Sequence, residues 1–240
     1  MRLITSTVLR GLLCALLLAA PHGCSVATRQ AGRQPTPAPT PSPSLPDDVE
    51  RRTSEPYKGD LAIFEDPQRE RNLQPDRVMD ILGIKAGSHV ADVGAGSGWL
   101  TVRAARRVGE GGLVYAVEIN ADYVKYIEER AAREKLSNVR TVLGTEDDPR
   151  LPDASADAVI LLKTYHELSQ PIRLLRHVRR AMRAGGRLGI IDRGGKGDDH
   201  GLDADSVVRE AVRAGFELVE QHDFVKPDGM DYFLVFRASS

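Results

Sequence analysis

The ten residues His89 to Gly98, His-Val-Ala-Asp-Val-Gly-Ala-Gly-Ser-Gly, limit what this chain can fold into more than any other stretch. Val90, Ala91 and Val93 form a short apolar run that reads as a buried strand, and it leads straight into glycines at 94, 96 and 98. Trp99 and Leu100 then open a helical pattern. A strand, a glycine turn and a helix in that order begin a βαβ unit. Glycine lets such a turn take positive φ and leaves room for a ligand against bare main chain.

The spacing restricts what the turn can hold. A dinucleotide loop reads G-x-G-x-x-G and aims a helix N-terminus at a pyrophosphate. Here the order is G-x-G-x-G, with Asp92 two residues before the first glycine. A carboxylate at that point repels phosphate and suits a cation, such as the ammonium group of an amino acid. A second apolar run, Leu113 to Val117, ends at Glu118. It lies about 20 residues past Gly98, where an acid can accept both hydroxyls of a ribose. Two acids and a glycine loop fit a nucleoside cofactor without phosphate, and they disfavour a nicotinamide cofactor.

Further segments recur in order: Val-Tyr-Ala-Val-Glu-Ile at 114–119, Val-Leu-Gly-Thr-Glu-Asp-Asp-Pro-Arg-Leu-Pro at 142–152, Arg-Ala-Gly-Gly-Arg-Leu-Gly-Ile-Ile-Asp at 183–192 and Tyr-Phe-Leu-Val-Phe at 232–236. With them the chain resembles the class I S-adenosylmethionine-dependent methyltransferases from about Phe64 to Arg237. The resemblance implies an α/β fold, a Rossmann-like three-layer sandwich whose seven-stranded sheet is mostly parallel with one antiparallel strand. It implies S-adenosyl-L-methionine as cofactor and methyl transfer (EC 2.1.1.-) to a small-molecule or lipid-like acceptor. Asp92 would then lie on the ammonium side, Gly94, Gly96 and Gly98 would form the loop, and Glu118 would hold the ribose. Thr145 and Glu146 would hold the adenine amino group, and Lys163 would be a further cofactor contact. Asp147 and Asp148 can equally be turn formers before Pro149.

The rest of the chain alternates helices and strands. Helices are expected from Pro75 to a stop at Gly83, from Trp99 to Val108, from Ala121 to Lys135 behind an Asn120 cap, from Pro171 to Ala184, and from Ser206 to Ala214. Strands are expected at Val139–Leu143, Ala158–Leu162, Arg187–Ile191, Phe216–Gln221 and Tyr232–Phe236. The fourth strand delivers Lys163-Thr164-Tyr165-His166-Glu167 to the sheet edge where open α/β folds bind ligands. His166 is a candidate general base there because imidazole titrates near neutrality. Tyr165 could wall the acceptor pocket and Glu167 could orient the histidine; His200, in the glycine-rich loop 194–201, is a second candidate. A histidine at a strand end can instead be structural. The Asn/Asp-Pro-Pro-Tyr motif of base and glutamine methylases is replaced here by Lys163-Thr164-Tyr165-His166, which lowers support for that substrate class.

The resemblance also implies that the segment Glu55 to Gln74 folds over the cofactor, with Tyr57 and Arg71 as candidate ligand contacts; alternatively Phe64 plugs the sheet edge and the arginines are solvated. Arg173, Arg176, Arg180 and Arg183 recur at helical spacing and read as a solvated face rather than a lipid contact.

At 240 residues, 41% of them hydrophobic, the chain can build one sizeable core, and a net charge of −1 gives no reason to expect nucleic acid as partner. Cys14 and Cys24 both lie at the extreme N-terminus, so the folded part has no disulfide or thiolate metal site, and no metal is expected. Residues 1–24 read as an export signal, with Arg2 and Arg10 before an apolar run from Leu12 to Ala20, and Cys24 suits a lipidated lipoprotein start. Residues 25–54 read as a Pro/Thr/Ser-rich tether and 55–240 as the methyltransferase domain. This layout places the domain in the periplasm or on a membrane through Cys24, or in the cytoplasm if the leader is a mistaken start. Export also motivates an alternative, a non-catalytic tethered nucleoside-binding module that keeps the fold, because S-adenosylmethionine is made in the cytoplasm. The acceptor and the oligomeric state are not legible.

Overall fold

The computed structural model describes residues 51, 53, 57–195, 200–225 and 231–239. The export signal with Cys24 and nearly all of the tether lie outside the described residues. Among the described residues no helix is long and apolar enough to cross a membrane.

Side chains alternate along β1 (His89–Val93), so Val90 and Asp92 face one side of the sheet while Ala91 and Val93 face the other. Both sides are covered. The strand pairs in parallel with β2 (Leu113–Glu118) and β4 (Ala156–Leu162). Beyond these lie β3 (Val139–Leu143) on one side and β5 (Met182–Arg193), β7 (Asp231–Ala238) and β6 (Phe216–His222) on the other, giving the order β3-β2-β1-β4-β5-β7-β6. Among the described residues seven strands form this one sheet, and β7 runs antiparallel to both of its neighbours.

Leu174, Leu175 and Val178 of α5 (Pro171–Ala181) and Val207 and Ala211 of α6 (Ala204–Arg213) pack on the face that carries Val93, Leu161 and Ile190. The other face carries Val90, Ile160 and Phe233 under α2 (Pro75–Ile81) and α3 (Trp99–Val108). Ile127 of α4 (Ala121–Arg133) packs on Ala116 of β2. Each fully buried leucine or isoleucine in these layers contributes about 1.5–3 kcal/mol by leaving water. The three layers are the expected sandwich.

Two local features differ from expectation. Residues 57–74 contain a 3-10 turn (Leu61–Glu65) and a helix, α1 (Pro67–Leu73). Asp60 and Asp66 cap them by accepting from the amides of Ala62 (2.9 Å) and Gln68 (2.8 Å), with Pro67 opening α1. The second difference is that α5 stops at Ala181, not Ala184. Met182 is already extended and lies opposite Ala156, and the amides of Ala154 and Ser155 donate to the carbonyls of Arg180 and Ala181 at 2.9 and 2.8 Å. The strand edge captures the end of the helix before Gly185 can. Arg183 therefore leaves the expected arginine stripe and binds Asp157 with both contacts near 3 Å. Arg173 pairs with Asp147 and Arg180 bonds His177.

Candidate active site

A cavity of about 320 Å3 opens at the carboxyl ends of β1, β2 and β4. The strand order reverses direction between β1 and β4, the place where open parallel sheets leave a crevice for ligands. Leu162, Leu168, Pro149 and Ile119 give the cavity apolar walls, while Glu118, Glu146, His166 and Glu167 supply polar groups. That mixture suits a ligand with both rings and charges.

The glycine loop forms one wall. Gly94 has φ +78, and a Cβ there would sit 2.3 Å from Cγ2 of Thr164. Alanine is thus excluded twice, by conformation and by space. The amides of Gly94 and Ala95 donate to the Val117 carbonyl at 2.9 and 3.0 Å, which hangs the loop on the end of β2. Gly96 donates its N–H to Oε2 of Glu118 at 3.0 Å, and Oε1 accepts from the amides of Ile119 (2.8 Å) and Asn120 (3.3 Å). A carboxylate offers about four acceptor positions, so Glu118 is fixed by three main-chain donors and keeps room for a ligand hydroxyl. Gly98 does not line the cavity; it takes the left-handed cap position at the start of α3, with Ile127 beneath it.

Asp92 lies under the loop rather than in the cavity wall. Alternation along β1 turns its side chain toward α3, where it is 2% exposed and Oδ2 accepts the Thr101 hydroxyl at 2.7 Å. Burial pushes its carboxyl up to about 6, against the pull of the Thr101 hydrogen bond and the charge of Arg69. Arg69 is an unanticipated member of the site. It lines the cavity, stacks over Phe64 and Trp99 with its guanidinium carbon 5.1 and 4.7 Å from the ring centres, and is pushed down to about 10 by burial. Arg71, the arginine expected from sequence, is exposed and bonds Gln68 (3.0 Å) instead. Tyr57 lines the cavity, as does Phe64.

The segment carrying these aromatics is latched to the loop. The Glu65 carboxylate accepts from the Ser97 hydroxyl (2.8 Å) and pairs with Arg130 of α4, whose Nη2 reaches Oε2 at 3.0 Å. Arg130 also donates to the Ser97 carbonyl at 3.0 Å. Burial tends to raise the Glu65 carboxyl, but the Arg130 and Ser97 hydrogen bonds outweigh it and hold it below the usual carboxylate range. Tyr123 adds a bond from its hydroxyl to the Gly59 carbonyl (3.0 Å). These partners are 32 to 65 positions apart in sequence, so no local spacing betrays them. Only the Asp-Pro pair at 66–67 signals that a helix begins there.

At the end of β3, Thr145 and Glu146 both reach the cavity. The Thr145 hydroxyl donates to Asp147 (2.8 Å) and accepts from the Asp148 amide (3.1 Å), while Glu146 accepts from Ser169 (3.2 Å). Lys163 takes the left-handed conformation after β4, lines the cavity and forms an ion pair with the buried Asp231.

Tyr165 corrects the sequence reading. It is fully buried on the far face of the sheet, in the cluster with α5 and α6, and its hydroxyl donates to Glu210 at 2.9 Å. Its place in a 3-10 turn (Tyr165–Glu167) turns it away from the cavity that His166 and Glu167 face. It cannot wall the acceptor pocket.

His166 is held at two points by Asp192, the last inward residue of β5. Its amide donates to Oδ2 and its Nδ1 donates to Oδ1, both at 2.9 Å. A carboxylate only accepts, so the proton sits on Nδ1 and the neutral ring keeps its lone pair on Nε2. That atom lies 3.9 Å from Oε1 of Glu167. Burial works against charging the ring, but the hydrogen bond and charge of Asp192 outweigh it and hold the imidazole above its usual range. Burial pushes the Glu167 carboxyl up to about 7, against the pull of His166. His200 comes to the same end of the cavity, its ring edge-on to that of His166 with centres 6.1 Å apart. Its segment is anchored where the Leu202 amide donates to the Arg193 carbonyl and Tyr232 donates to the Leu202 carbonyl, both at 2.8 Å.

A sulfonium nucleoside fits these residues. The loop offers bare main chain, Glu118 offers an acceptor for ribose hydroxyls at the end of β2, and the nearest acid beneath the loop would oppose a phosphate. Fold and site together define a Rossmann-like methyltransferase domain. Known proteins agree: a family model for the methyltransferase domain matches residues 90–186. An uncharacterised methyltransferase of Mycobacterium bovis is 36% identical over 125 residues, which is 52% of this chain and 47% of that protein. A ubiquinone/menaquinone biosynthesis C-methyltransferase of Azotobacter vinelandii is 29% identical over 115 residues, 48% of this chain and 46% of that one. The chain thus spans about half the length of the curated relatives it matches. The solved structure of an S-adenosylmethionine-dependent methyltransferase from Aquifex aeolicus superposes with a TM-score of 0.68 at 26% identity, covering 75% of this chain and 98% of that one. Residues 90–186 match that family, and the fold and relatives support placing this domain in the class I S-adenosylmethionine-dependent methyltransferase superfamily.

Proposed function

We propose that the protein transfers the methyl group of S-adenosylmethionine to a small-molecule or lipid-like acceptor whose reacting atom lies beside His166. The observation that carries this reading is the Glu118 carboxylate. It is pinned to the glycine loop through Gly96 and lines the same cavity as His166, Glu167 and His200. The cofactor, when bound, supplies an electrophilic methyl carbon. The protein's part is to align an acceptor with that carbon and keep water out. The apolar walls and the latched 57–74 segment serve exclusion. An acceptor that must lose a proton can give it to Nε2 of His166, with Asp192 steadying the imidazolium that forms. Within this reading Asp92 and Arg69 shape the field under the amino-acid end, and Thr145 and Glu146 lie at the end suited to a base.

Calorimetric titration of the purified protein with S-adenosylmethionine, S-adenosylhomocysteine and NADH tests the reading. Saturable binding of the first two and none of the third is expected. Absence of both adenosyl ligands would refute it, and tight binding without turnover on any acceptor would favour the non-catalytic module. The leader is read as an export and lipidation signal, and radiolabelled fatty acid should label the wild type and not Cys24→Ser.

A further inference from the structure

We propose that His166, Glu167 and His200 bind one divalent transition ion of the zinc class at the acceptor end of the cavity. The inference rests on the reading that this end receives the acceptor. One ligand atom from each of the three side chains falls in a set no wider than 4.8 Å. Zinc bonds of about 2.0–2.2 Å to nitrogen and oxygen put tetrahedral ligands roughly 3.3 Å apart. The His166–Glu167 pair, at 3.9 Å, is already close to that value, and the His200 ligand atom lies in the same 4.8 Å set. Two imidazoles and a carboxylate are a donor set for zinc and neighbouring first-row ions rather than for magnesium or calcium.

The surroundings resemble those of metal-binding histidines. His166 gives its Nδ1 proton to Asp192 and so turns an Nε2 lone pair toward the cavity, the arrangement in which an outer carboxylate orients a ligating imidazole. The acids Glu167, Asp192 and Glu118 exert a combined negative field here. The opposing cation, Lys163, is itself paired with Asp231. His200 is carried by main chain held at Leu202, so its ring has a defined origin.

Three protein ligands leave an open position, and it faces the cavity. An acceptor thiol or hydroxyl taken there would lose its proton to solvent on coordination, because a bound ion favours the anion. The methyl carbon would then exchange its bond to the sulfonium sulfur for one to the coordinated heteroatom. The sulfur keeps the electron pair of the broken bond. In the metal-bound protein the ion replaces the His166 ring as the means of activating the acceptor, which commits the reaction to sulfur or oxygen rather than carbon.

The test uses the full chain in a Cys14→Ser, Cys24→Ser background, so that neither thiol competes, stripped with EDTA and titrated with Co2+. One Co2+ per chain is expected, with visible d–d absorption that Zn2+ abolishes by displacement. His200→Ala and Glu167→Gln should each weaken binding at least tenfold; both are less buried than His166 and leave its Asp192 bonds in place. No saturable binding, or binding that both variants leave unchanged, would overturn the proposal. S-adenosylhomocysteine affinity, measured on the same stripped samples, separates the two readings. Loss of metal binding with the nucleoside still bound refutes only the metal site, and absence of nucleoside binding refutes the methyltransferase reading on which it rests.

Discussion

Asp92→Asn should stabilise the ligand-free protein at neutral pH while weakening its hold on S-adenosylmethionine. Burial moves this carboxyl from 3.8 to about 6, net of the Thr101 hydrogen bond and the Arg69 charge that oppose the rise. Below about pH 4 the acid is protonated in both the folded and the unfolded chain, and it contributes nothing. Between about 4 and 6 the unfolded chain releases its proton first, so stability falls as pH rises. Above 6 the loss is complete. At about 1.4 kcal/mol per tenfold change in proton affinity it amounts to about 3 kcal/mol. Asparagine has the same shape, can still accept the Thr101 hydroxyl and has no charge to bury. Its amide N–H2 lacks an assigned partner, which takes back about 1–3 kcal/mol at every pH. The pH-dependent part is therefore the quantity to measure. The variant's advantage should be about 1.5 kcal/mol greater at pH 7.5 than at pH 5, read from urea unfolding at both values. A difference between variant and wild type that does not change with pH would refute the reasoning. In the same samples, affinity for S-adenosylmethionine should drop on the order of tenfold, through loss of the field on the ammonium group.

Glu118→Ala should weaken S-adenosylhomocysteine binding by about 1.5–3 kcal/mol, the scale of hydrogen bonds to a charged group, and unchanged affinity by calorimetry would remove Glu118 from the site. Gly94→Ala meets both a left-handed backbone and the Thr164 side chain, so it should abolish nucleoside binding; thermal unfolding alongside the titration will show whether the fold survives. Tyr165→Phe removes one hydrogen bond to Glu210, which keeps Arg51 as its partner at 2.9 Å. It should cost about 0.5–1.5 kcal/mol in denaturant unfolding and leave nucleoside affinity untouched. A large change in affinity would return Tyr165 to the binding site.

The amino-acid sequence by itself determined the layers and the loop. Apolar runs at 114–117 and 158–162, and the Val90, Ala91 and Val93 set broken only by Asp92, are too continuous for half-exposed strands, so they had to be buried between helices, and the glycines at 94, 96 and 98 had to turn where they do. Glu118 was legible because a strand end at that distance from the loop must lie beside it in a parallel sheet. The helix end at Ala181 was not legible, since a strand edge at Ala154 and Ser155 competes with the local stop signal of Gly185-Gly186. Nor was the direction of Tyr165, because a 3-10 turn after β4, not strand alternation, turns His166 and Glu167 to the cavity and Tyr165 away from it. Tertiary structure alone brought Glu65 to Ser97 and Arg130, Asp192 to His166, and His200 to Glu167. These are pairings between distant parts of the chain. Local propensity and spacing describe neighbours in sequence, whereas the chemistry of this site depends on neighbours that only the closed sheet creates.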